Sequence, residues 1–567
     1  MANKIYGIDL GTTYSCIGYV DKNGTATILT NIEGDRVTPS VVYFENSGGE
    51  SQNIVVGATA REEGAVNASR VVESVKRSMG DEHWRFPVDG RAYRPEEVSS
   101  FILRKVVADA EKAVGETITD VVITCPAYFG TNQKEATRLA GEIAGLNVRA
   151  VIPEPTAAAV AYGMDLAEDE VALVYDLGGG TFDVTVIAIS SDALKVICTA
   201  GNNRLGGKDW DATVFQYLLA EYEAETGRPA SELENDAEIS QSLSMQSEKA
   251  KRSLTSKEST VVAVQGPDGD RAKVTLTREK FDELTKGLLE RTVEFTKAAR
   301  KDAAELGYPR IDKILLVGGS SFMPQVKARI ECEFPGIDTA LQDPNEIVAK
   351  GAAIYGHKLE LEERVKEHIA TATGKKPEDI SLPDVDQGQR RAAENKVASD
   401  TGMSRDALAK FVEKEVVNVS AKSFGIVVMA NDDREKLSNL VVVNEQLPVK
   451  RTRDYGTYAD NQSSVNLAVW ENMSRKGGDG DSTEASEIEM SECTELLGAA
   501  VLNFARPLPK GSRIRVSFEL SRDGLLSIHG EDLTTNCEIF ENFETKSVMS
   551  RAELENAKER GAKLKIA

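Results

Sequence analysis

The sequence predicts a two-part protein, with an α/β region over residues 1–360 and a β-rich region over residues 416–545. In the first region, apolar runs such as 121–124 and 171–175 alternate with amphipathic stretches, a pattern typical of sheets covered by helices. This region also contains an internal repeat, which suggests two similar lobes with a cleft between them. In the second region, short alternating runs and an Asp523-Gly524 hairpin signal indicate antiparallel strands.

Length and charge restrict the class of protein. A chain of 567 residues is too long for one core, and its formal net charge of −23 argues against nucleic acid as the main partner. The six cysteines are scattered, without zinc or redox spacing, which favours reduced thiols. No signal peptide and no apolar run of transmembrane length is evident. We therefore expect a cytoplasmic protein that does not associate with membranes.

The internal repeat consists of a strand that ends in aspartate, a glycine turn, and then hydroxyl residues. The two copies are 5–13 and 174–183, and a related strand with two glycines follows at 315–321. Glycines let backbone N–H groups approach phosphate oxygens, and aspartates beside them suit Mg²⁺. Either turn alone could be an ordinary hairpin, whereas the three stretches together predict a nucleotide held between two loops.

Three further segments complete the predicted organisation. Residues 361–415 are strongly charged, with helical stretches at 359–372 and 404–415, and predict a helical insertion or spacer without a core. Residues 477–495 contain seven acidic residues and no Lys or Arg, which predicts an exposed, mobile loop. Residues 546–567 begin with the capping box Ser550-x-x-Glu553 and predict one helix that runs to residue 567.

Further short sequence motifs resemble those of a known family. They include Glu33-Gly-Asp-Arg-Val-Thr-Pro-Ser40, Pro126-Ala-Tyr-Phe129, Glu154-Pro155-Thr156, Leu205-Gly-Gly207 and Asp460-Asn461-Gln462-Ser463. Together with the glycine turns, they closely resemble the seventy-kilodalton heat-shock (DnaK-like) chaperone family, almost continuously over 4–356 and more weakly over 416–540. The resemblance implies an actin-like ATPase domain with two lobes around a nucleotide cleft, a linker, a β-sandwich that binds peptides, and a helical lid.

The resemblance assigns roles at a site for ATP or ADP with Mg²⁺. Aspartates at the two strand ends would hold the metal through water, a lysine would stabilise charge on the γ-phosphate, and a carboxylate at a helix start would orient metal or water. The catalytic group is Lys76, Glu154, Asp176 and Thr181, and the metal group is Asp9 and Asp176. The phosphate-binding residues are Gly11, Thr12, Thr13, Tyr14, Gly178, Gly179, Gly180, Gly206 and Gly207.

The nucleoside would be bound by one helix face and the third glycine stretch. Glu248, Lys251, Arg252 and Thr255 are spaced so that one helix face presents all four. That pattern is also typical of a solvated salt-bridge stripe, but the resemblance assigns the first two to ribose and the last two to adenine. The remaining positions are Gly318, Gly319, Ser320, Phe322 and Asn345. Two of these depart from the family: Phe322 replaces an arginine that stacks on adenine, and Asn345 replaces an aspartate.

The resemblance also implies a peptide groove in the β-rich region. By alignment, its apolar residues are Leu437, Tyr455, Val465 and Leu467, and Tyr458 replaces a small residue that arches over the peptide. The alternative is that these side chains simply fill the sandwich core. The groove would hold an extended peptide through main-chain bonds and one deep pocket.

The sequence therefore predicts an ATP-dependent chaperone that binds and releases extended apolar segments of unfolded proteins, with a J-domain co-chaperone and a nucleotide exchange factor as partners. Alternatives are a specialised paralogue with a dedicated client and a small-molecule kinase of the same superfamily. Because the lid is reduced to one helix, we expect fast peptide release even with ADP bound, unless the insertion at 361–415 folds over the groove instead.

Overall fold

The computed structural model describes residues 3–46, 53–164, 169–341, 343–478, 484–542, 549 and 551–567. In the first lobe the elements are β1 Ile5–Asp9, β2 Tyr14–Val20, β3 Ala26–Ile28, β4 Thr38–Pro39, β5 Val41–Phe44, β6 Asn53–Val56, α1 Ala58–Glu63, β7 Val71–Glu73, β8 Phe86–Val88, β9 Arg91–Tyr93, α2 Pro95–Val114, β10 Asp120–Cys125, α3 Thr131–Ile143, β11 Asn147–Pro153 and α4 Glu154–Gly163. Its central sheet has the order β11-β10-β1-β2-β3.

The second lobe has the same sheet topology as the first. Its elements are β12 Glu170–Leu177, β13 Phe182–Ile189, β14 Ala193–Asn202, α5 Gly207–Thr226, α6 Ser231–Asn235, α7 Ala237–Leu254, β15 Ser259–Gln265, β16 Arg271–Thr277, α8 Arg278–Glu305, β17 Lys313–Val317, α9 Pro324–Glu333, β18 Asp338–Leu341 and α10 Ile347–Thr373. The order β18-β17-β12-β13-β14 repeats that of the first sheet, strand for strand. In the first lobe, β1 pairs with β2 in antiparallel fashion and with β10 in parallel. In the second lobe, β12 pairs in the same way with β13 and β17. The predicted internal repeat is therefore confirmed.

The two lobes share a core in which α4 and α10 are central. Apolar residues of both helices pack with residues of β1, β12 and β17 in one buried cluster. The helices approach closely because Gly351 of α10 leaves no room for a side chain: a Cβ there would overlap the backbone of Ala157. This contact fixes the first turn of α4, and hence Glu154, relative to both sheets.

The insertion is helical, but the expectation that it lacks a core is wrong. The helix α10 extends into it, and it continues with α11 Gln387–Thr401 and α12 Arg405–Glu413. Residues such as Leu361, Val397 and Leu408 form a buried cluster of their own. The sequence analysis missed α11, since its exposed positions are polar and its apolar face is narrow. The insertion packs on the C-terminal half of α10, a position that does not support its folding over the groove.

A short strand, β19 Glu415–Val417, joins the insertion to the sandwich. It pairs in parallel with the edge strand β14, with Val416 opposite Leu194. The sandwich then comprises β20 Ser423–Met429, β21 Glu435–Val441, β22 Val449–Gly456, β23 Gln462–Asn472, β24 Glu487–Glu489, β25 Cys493–Leu508, β26 Arg513–Leu520, β27 Leu526–Asp532 and β28 Cys537–Asn542. Its two sheets have the orders β24-β21-β20-β23-β25 and β22-β26-β27-β28.

The sandwich is docked on the α/β region through hydrogen bonds, three of which are donated by residues of α3 and α4. The backbone N–H of Thr131, at the start of α3, donates to Glu471 Oε1 at 2.9 Å. Arg138 of the same helix donates to Asp523 at 2.9 Å. The hydroxyl of Thr156, on α4, donates to Asn418 at 3.0 Å. The strand β19 and these contacts together join the two regions.

Two expectations about the C-terminal third need correction. The acidic segment is not wholly an exposed loop, because residues 487–489 form the strand β24, in which Ile488 is buried; residues 479–483 lie outside the described residues. The tail forms α13 Arg551–Lys563 but then β29 Lys565–Ile566, which pairs with β6. The predicted cap residue Ser550 is outside the described residues. The helix α13 packs on α3 of the first lobe.

No helix within the described part of the chain combines the length and apolar character needed to cross a membrane.

Candidate functional site: a cleft between two glycine loops

A cavity of about 400 Å³ lies between the two lobes, where the first strands of both sheets end. The repeat explains this position, because equivalent strand ends from the two lobes face each other. The predicted residues that line the cavity come from all three glycine stretches and from the helix face at 248–255. They are Asp9, Gly11, Thr12, Thr13, Tyr14, Lys76, Glu154, Asp176, Gly178, Gly179, Thr181, Glu248, Lys251, Arg252, Thr255, Gly318, Gly319, Ser320, Phe322 and Asn345.

Three predicted glycines, Gly180, Gly206 and Gly207, do not line the cavity but support its loops. The N–H of Gly207 donates to the Gly178 carbonyl at 2.9 Å. A Cβ at Gly206 would lie 2.7 Å from the backbone of Gly180, closer than real atoms approach. Gly318 adopts φ of 81°, a left-handed conformation that favours glycine. The backbone therefore reaches the cavity wall without intervening side chains, as phosphate binding requires.

A buried ion pair lies on the floor of the cavity. Lys76, which follows the left-handed residue Ser74 in a short helix, is 5% exposed and pairs with Glu154, which is 7% exposed. Burial lowers the pKa of Lys76, but the carboxylates of Glu154 and Asp9 outweigh this effect and raise its pKa above the ordinary value. The ammonium group is therefore charged and faces the cavity with a fixed partner.

The carboxylates around this lysine carry more negative charge than it can neutralise. Burial and the charge of Glu154 raise the pKa of Asp9 to about 7, and the same causes raise that of Asp183 to about 7. Burial also raises the pKa of Asp176 well above its usual value. In addition, Oδ2 of Asp183 is buried without a hydrogen-bond partner. A divalent cation would relieve these raised pKa values, so the residues fit the expected Mg²⁺.

The described residues alone do not supply a complete metal shell. Among the described residues, no three or more His, Cys, Asp or Glu side chains are grouped so as to hold a metal ion. Mg²⁺ is commonly bound by one or two carboxylates with waters and substrate phosphates. Asp9, whose Oδ1 accepts a 3.0 Å hydrogen bond from Thr124, and Asp176 would hold the ion in that manner.

The helix α7 presents its predicted face to the cavity, and all four predicted residues already have partners within the protein. Glu248 is paired with Arg61. Lys251 forms an ion pair with Asp211 at 2.8 Å and donates a hydrogen bond to the Gly207 carbonyl at 2.9 Å. Contacts with ribose would therefore add to existing bonds. Arg252 is exposed and donates to the Tyr14 hydroxyl at 2.8 Å. Thr255 donates to the carbonyl of Arg252.

Phe322 lies on the rim of the cavity with 43% of its surface exposed. Ser320, in the same turn, fixes the loop by donating to the Gly178 carbonyl at 2.9 Å. Asn345, also exposed, lies on the neighbouring segment. An exposed aromatic ring beside a cavity of this kind is available to stack on a planar base.

Sequence reasoning missed four charged residues of the site. Lys208 and Asp211 line the cavity. Lys208 directly follows the glycine pair 206–207 and Asp211 lies four residues after it, so the glycine pair was a usable signal. Arg77 donates to the Gly180 carbonyl at 3.0 Å and to Asp209 at 2.7 Å. Arg61 reaches the Tyr14 hydroxyl at 2.8 Å from a helix that carries no local motif, so only the fold reveals it.

The residues predicted for the peptide groove differ in accessibility. Leu437 and Leu467 are 0% and 4% exposed, respectively, whereas Val465 and Tyr455 are half-buried at the core. Tyr458 is 46% exposed, and its hydroxyl donates to Asp433 across the groove loops at 3.3 Å. A groove made of all five would need the two leucines to become accessible, so the groove stays a prediction.

A comparison with family models agrees with this architecture. The model of the Hsp70 protein family matches residues 5–371 and 406–565, so the chain belongs to the Hsp70 family. Members of this family are chaperones that bind and hydrolyse ATP with Mg²⁺ and act on unfolded proteins with co-chaperones. The residues between the two matched ranges, 372–405, contain the whole of α11.

Proposed function

We propose that this protein is an ATP-dependent chaperone that holds and releases extended apolar segments of unfolded proteins under the control of ATP binding and hydrolysis. The observation that carries the proposal is the cleft, in which two glycine loops, the Lys76–Glu154 pair and the carboxylates at the strand ends converge on one cavity. These groups suit phosphoryl transfer to water, because catalysis of that reaction depends on positioning the reactants and on stabilising charge.

Each group in the cleft has a distinct task. Backbone N–H groups of the glycine loops bind phosphate oxygens, and Arg77 braces the second loop through the Gly180 carbonyl. Lys76 supplies positive charge where negative charge develops, and Glu154 keeps it oriented. Bound Mg²⁺ would neutralise the phosphates and the carboxylates of Asp9 and Asp176. Phe322 and Arg252 then bind the base at the open end.

The helix α4 supplies a physical route from the cleft to the sandwich. It begins with Glu154 in the cavity, and Thr156 in the same first turn contacts Asn418. Its last carbonyl, that of Gly163, accepts a 2.7 Å hydrogen bond from the buried Lys414 immediately before β19. A change at the phosphate site that shifts α4 would therefore act on the strand that holds the sandwich in place.

The decisive assay is ATP turnover of the full chain with and without an unfolded, Leu-rich peptide. Stimulation by many unrelated apolar peptides supports a general chaperone. Stimulation by one client alone would favour a specialised paralogue. Turnover that depends on a small-molecule phosphoryl acceptor would overturn the proposal in favour of a kinase.

A further inference from the structure

The outer edge of β21 carries an unusual occupant, a strand from the chain's own acidic segment. The strand β24 pairs with β21 in antiparallel fashion, with Ile488 opposite Leu437. It covers three residues, whereas β21 has seven. An exposed sheet edge is a template for any extended chain, and here a short piece of the same protein occupies that template.

The edge has the charge and shape of a binding site. Lys436 pairs with Glu487 at 3.5 Å, and Arg434 pairs with Glu489 at 3.6 Å. Ile488, between the two glutamates, is 2% exposed. The occupant thus follows a simple rule, in which one branched apolar side chain is buried and the carboxylates on either side meet basic residues.

A buried polar anchor fixes the register of the occupant. Ser486 is fully buried, and its hydroxyl lies 2.6 Å from Nη1 of Arg453 and 2.9 Å from Oγ of Ser438. The same Ser438 hydroxyl lies 3.0 Å from that of Tyr455, one of the predicted groove residues. The edge is therefore continuous with the predicted groove, and Asp433, which contacts Tyr458, directly precedes Arg434.

We propose that β24 is an internal occupant of a peptide-docking edge, and that the edge accepts in its place an extended acidic segment of a client with the pattern Ser-acidic-Ile/Val-acidic. The proposal rests on the proposed peptide-binding function and deepens it, because it names a second client class beside the Leu-rich one. Strand addition gives affinity through main-chain bonds, while alternate side-chain pockets give specificity. A client segment longer than three residues can pair with more of β21 than β24 does.

The test measures binding of a labelled peptide with the sequence of residues 485–492 to the full chain by fluorescence anisotropy. The variant Ile488→Asn loosens the internal strand and should bind the probe at least about tenfold more tightly than the unaltered chain. The matched control is Val501→Asn on β25 of the same sheet, which removes an apolar side chain 47% exposed and should leave probe affinity unchanged. A probe with lysine in place of each glutamate should not bind.

A charge variant and a folding-neutral variant complete the test. Adding Arg434→Glu to Ile488→Asn should reverse the gain. If Ile488→Asn unfolds the sandwich, the double variant Glu487→Lys with Glu489→Lys opens the edge by reversing two ion pairs, keeps the buried side chain of Ile488, and should give the same gain. Equal probe affinity in the unaltered chain and in the folded opened variants would overturn the proposal.

A Leu-rich probe separates this inference from the proposed function. If it binds normally while the acidic probe never binds, the edge proposal alone fails. If the acidic probe binds the opened variants while the Leu-rich probe binds no form of the chain, the edge proposal stands and the general apolar client class fails.

Discussion

The nucleotide cleft and the predicted peptide groove differ in the polarity of the residues that form them. The cleft is lined by glycines, hydroxyl residues and buried charges, and the ion pair of Lys76 with Glu154 lies at its floor. The residues predicted for the groove are largely apolar, and two of them, Leu437 and Leu467, are buried in the core. Buried charge has a high desolvation cost, and the raised pKa values of Asp9 and Asp176 show that Lys76 does not offset it fully. Such a site favours a charged ligand, whereas buried leucine is compatible with either function or packing.

The largest expected effect tests the role of buried charge in the nucleotide cleft. Lys76→Ala should slow single-turnover ATP hydrolysis by about 10²- to 10³-fold, the loss typical when one group that stabilises transition-state charge is removed. Nucleotide affinity should change little. The matched control is Lys208→Ala, which also lines the cavity but pairs with Glu73 at 3.2 Å and should retain most hydrolysis. Hydrolysis at the unaltered rate in the Lys76 variant would remove this lysine from the mechanism.

The second prediction tests whether the loops must touch. Gly206→Ala places a Cβ 2.7 Å from the Gly180 backbone and should separate the loops, so calorimetry should show ATP binding weakened by about 1–3 kcal/mol, the usual effect of overpacking. Gly287→Ala is the control, because it lies in α8 with nothing within 4 Å of the added carbon. That control should bind ATP normally, and equal affinity in both variants would contradict the account.

The third prediction tests the predicted peptide groove. Val465→Phe should fill the predicted pocket and weaken binding of a Leu-rich peptide by about tenfold or more, while the sandwich stays folded because Val465 is only half-buried. Val501→Phe, at an exposed position of the same sheet, should bind the peptide normally. Peptide binding that survives in a folded Val465 variant would show that these residues are core and that the groove lies elsewhere.

The smallest expected effect tests base binding at the open end of the cleft. Phe322→Ala should weaken ATP binding by about 1 kcal/mol, the scale of one aromatic stack. Phe322→Tyr keeps the ring face and should restore the affinity. Calorimetry that finds the alanine variant unchanged would mean that the exposed ring does not contact adenine.

The same contrast explains what the sequence could predict. The positions of Asp9, Asp176 and the glycine turns were predictable because phosphate binding demands specific residues within a few positions of one another. Arg61 was not, since its contacts with Tyr14 and Glu248 depend on how distant segments fold. Alternation along a strand is the same for a groove and for a core, so sequence could not separate Leu437 from a packing residue.

Short elements were hidden for a related reason. The strand β24 contains a single buried side chain, Ile488, within an acidic stretch, and composition alone favours a loop there. Its formation depends on the free edge of β21 and on the basic residues Arg434 and Lys436. Likewise, Lys565 and Ile566 form a strand only because β6 offers an edge. In both cases the partner edge, which is remote in sequence, decides the local structure.

The most direct test of the central claim is stopped-flow release of a labelled Leu-rich peptide from the full chain preloaded with ADP, then mixed with ATP or with more ADP. The account predicts release within seconds in ADP, because α13 packs on α3 of the first lobe. It predicts several-fold faster release in ATP, with the change in the off-rate. Identical release rates in the two nucleotides would contradict the claim that the cleft controls the peptide site.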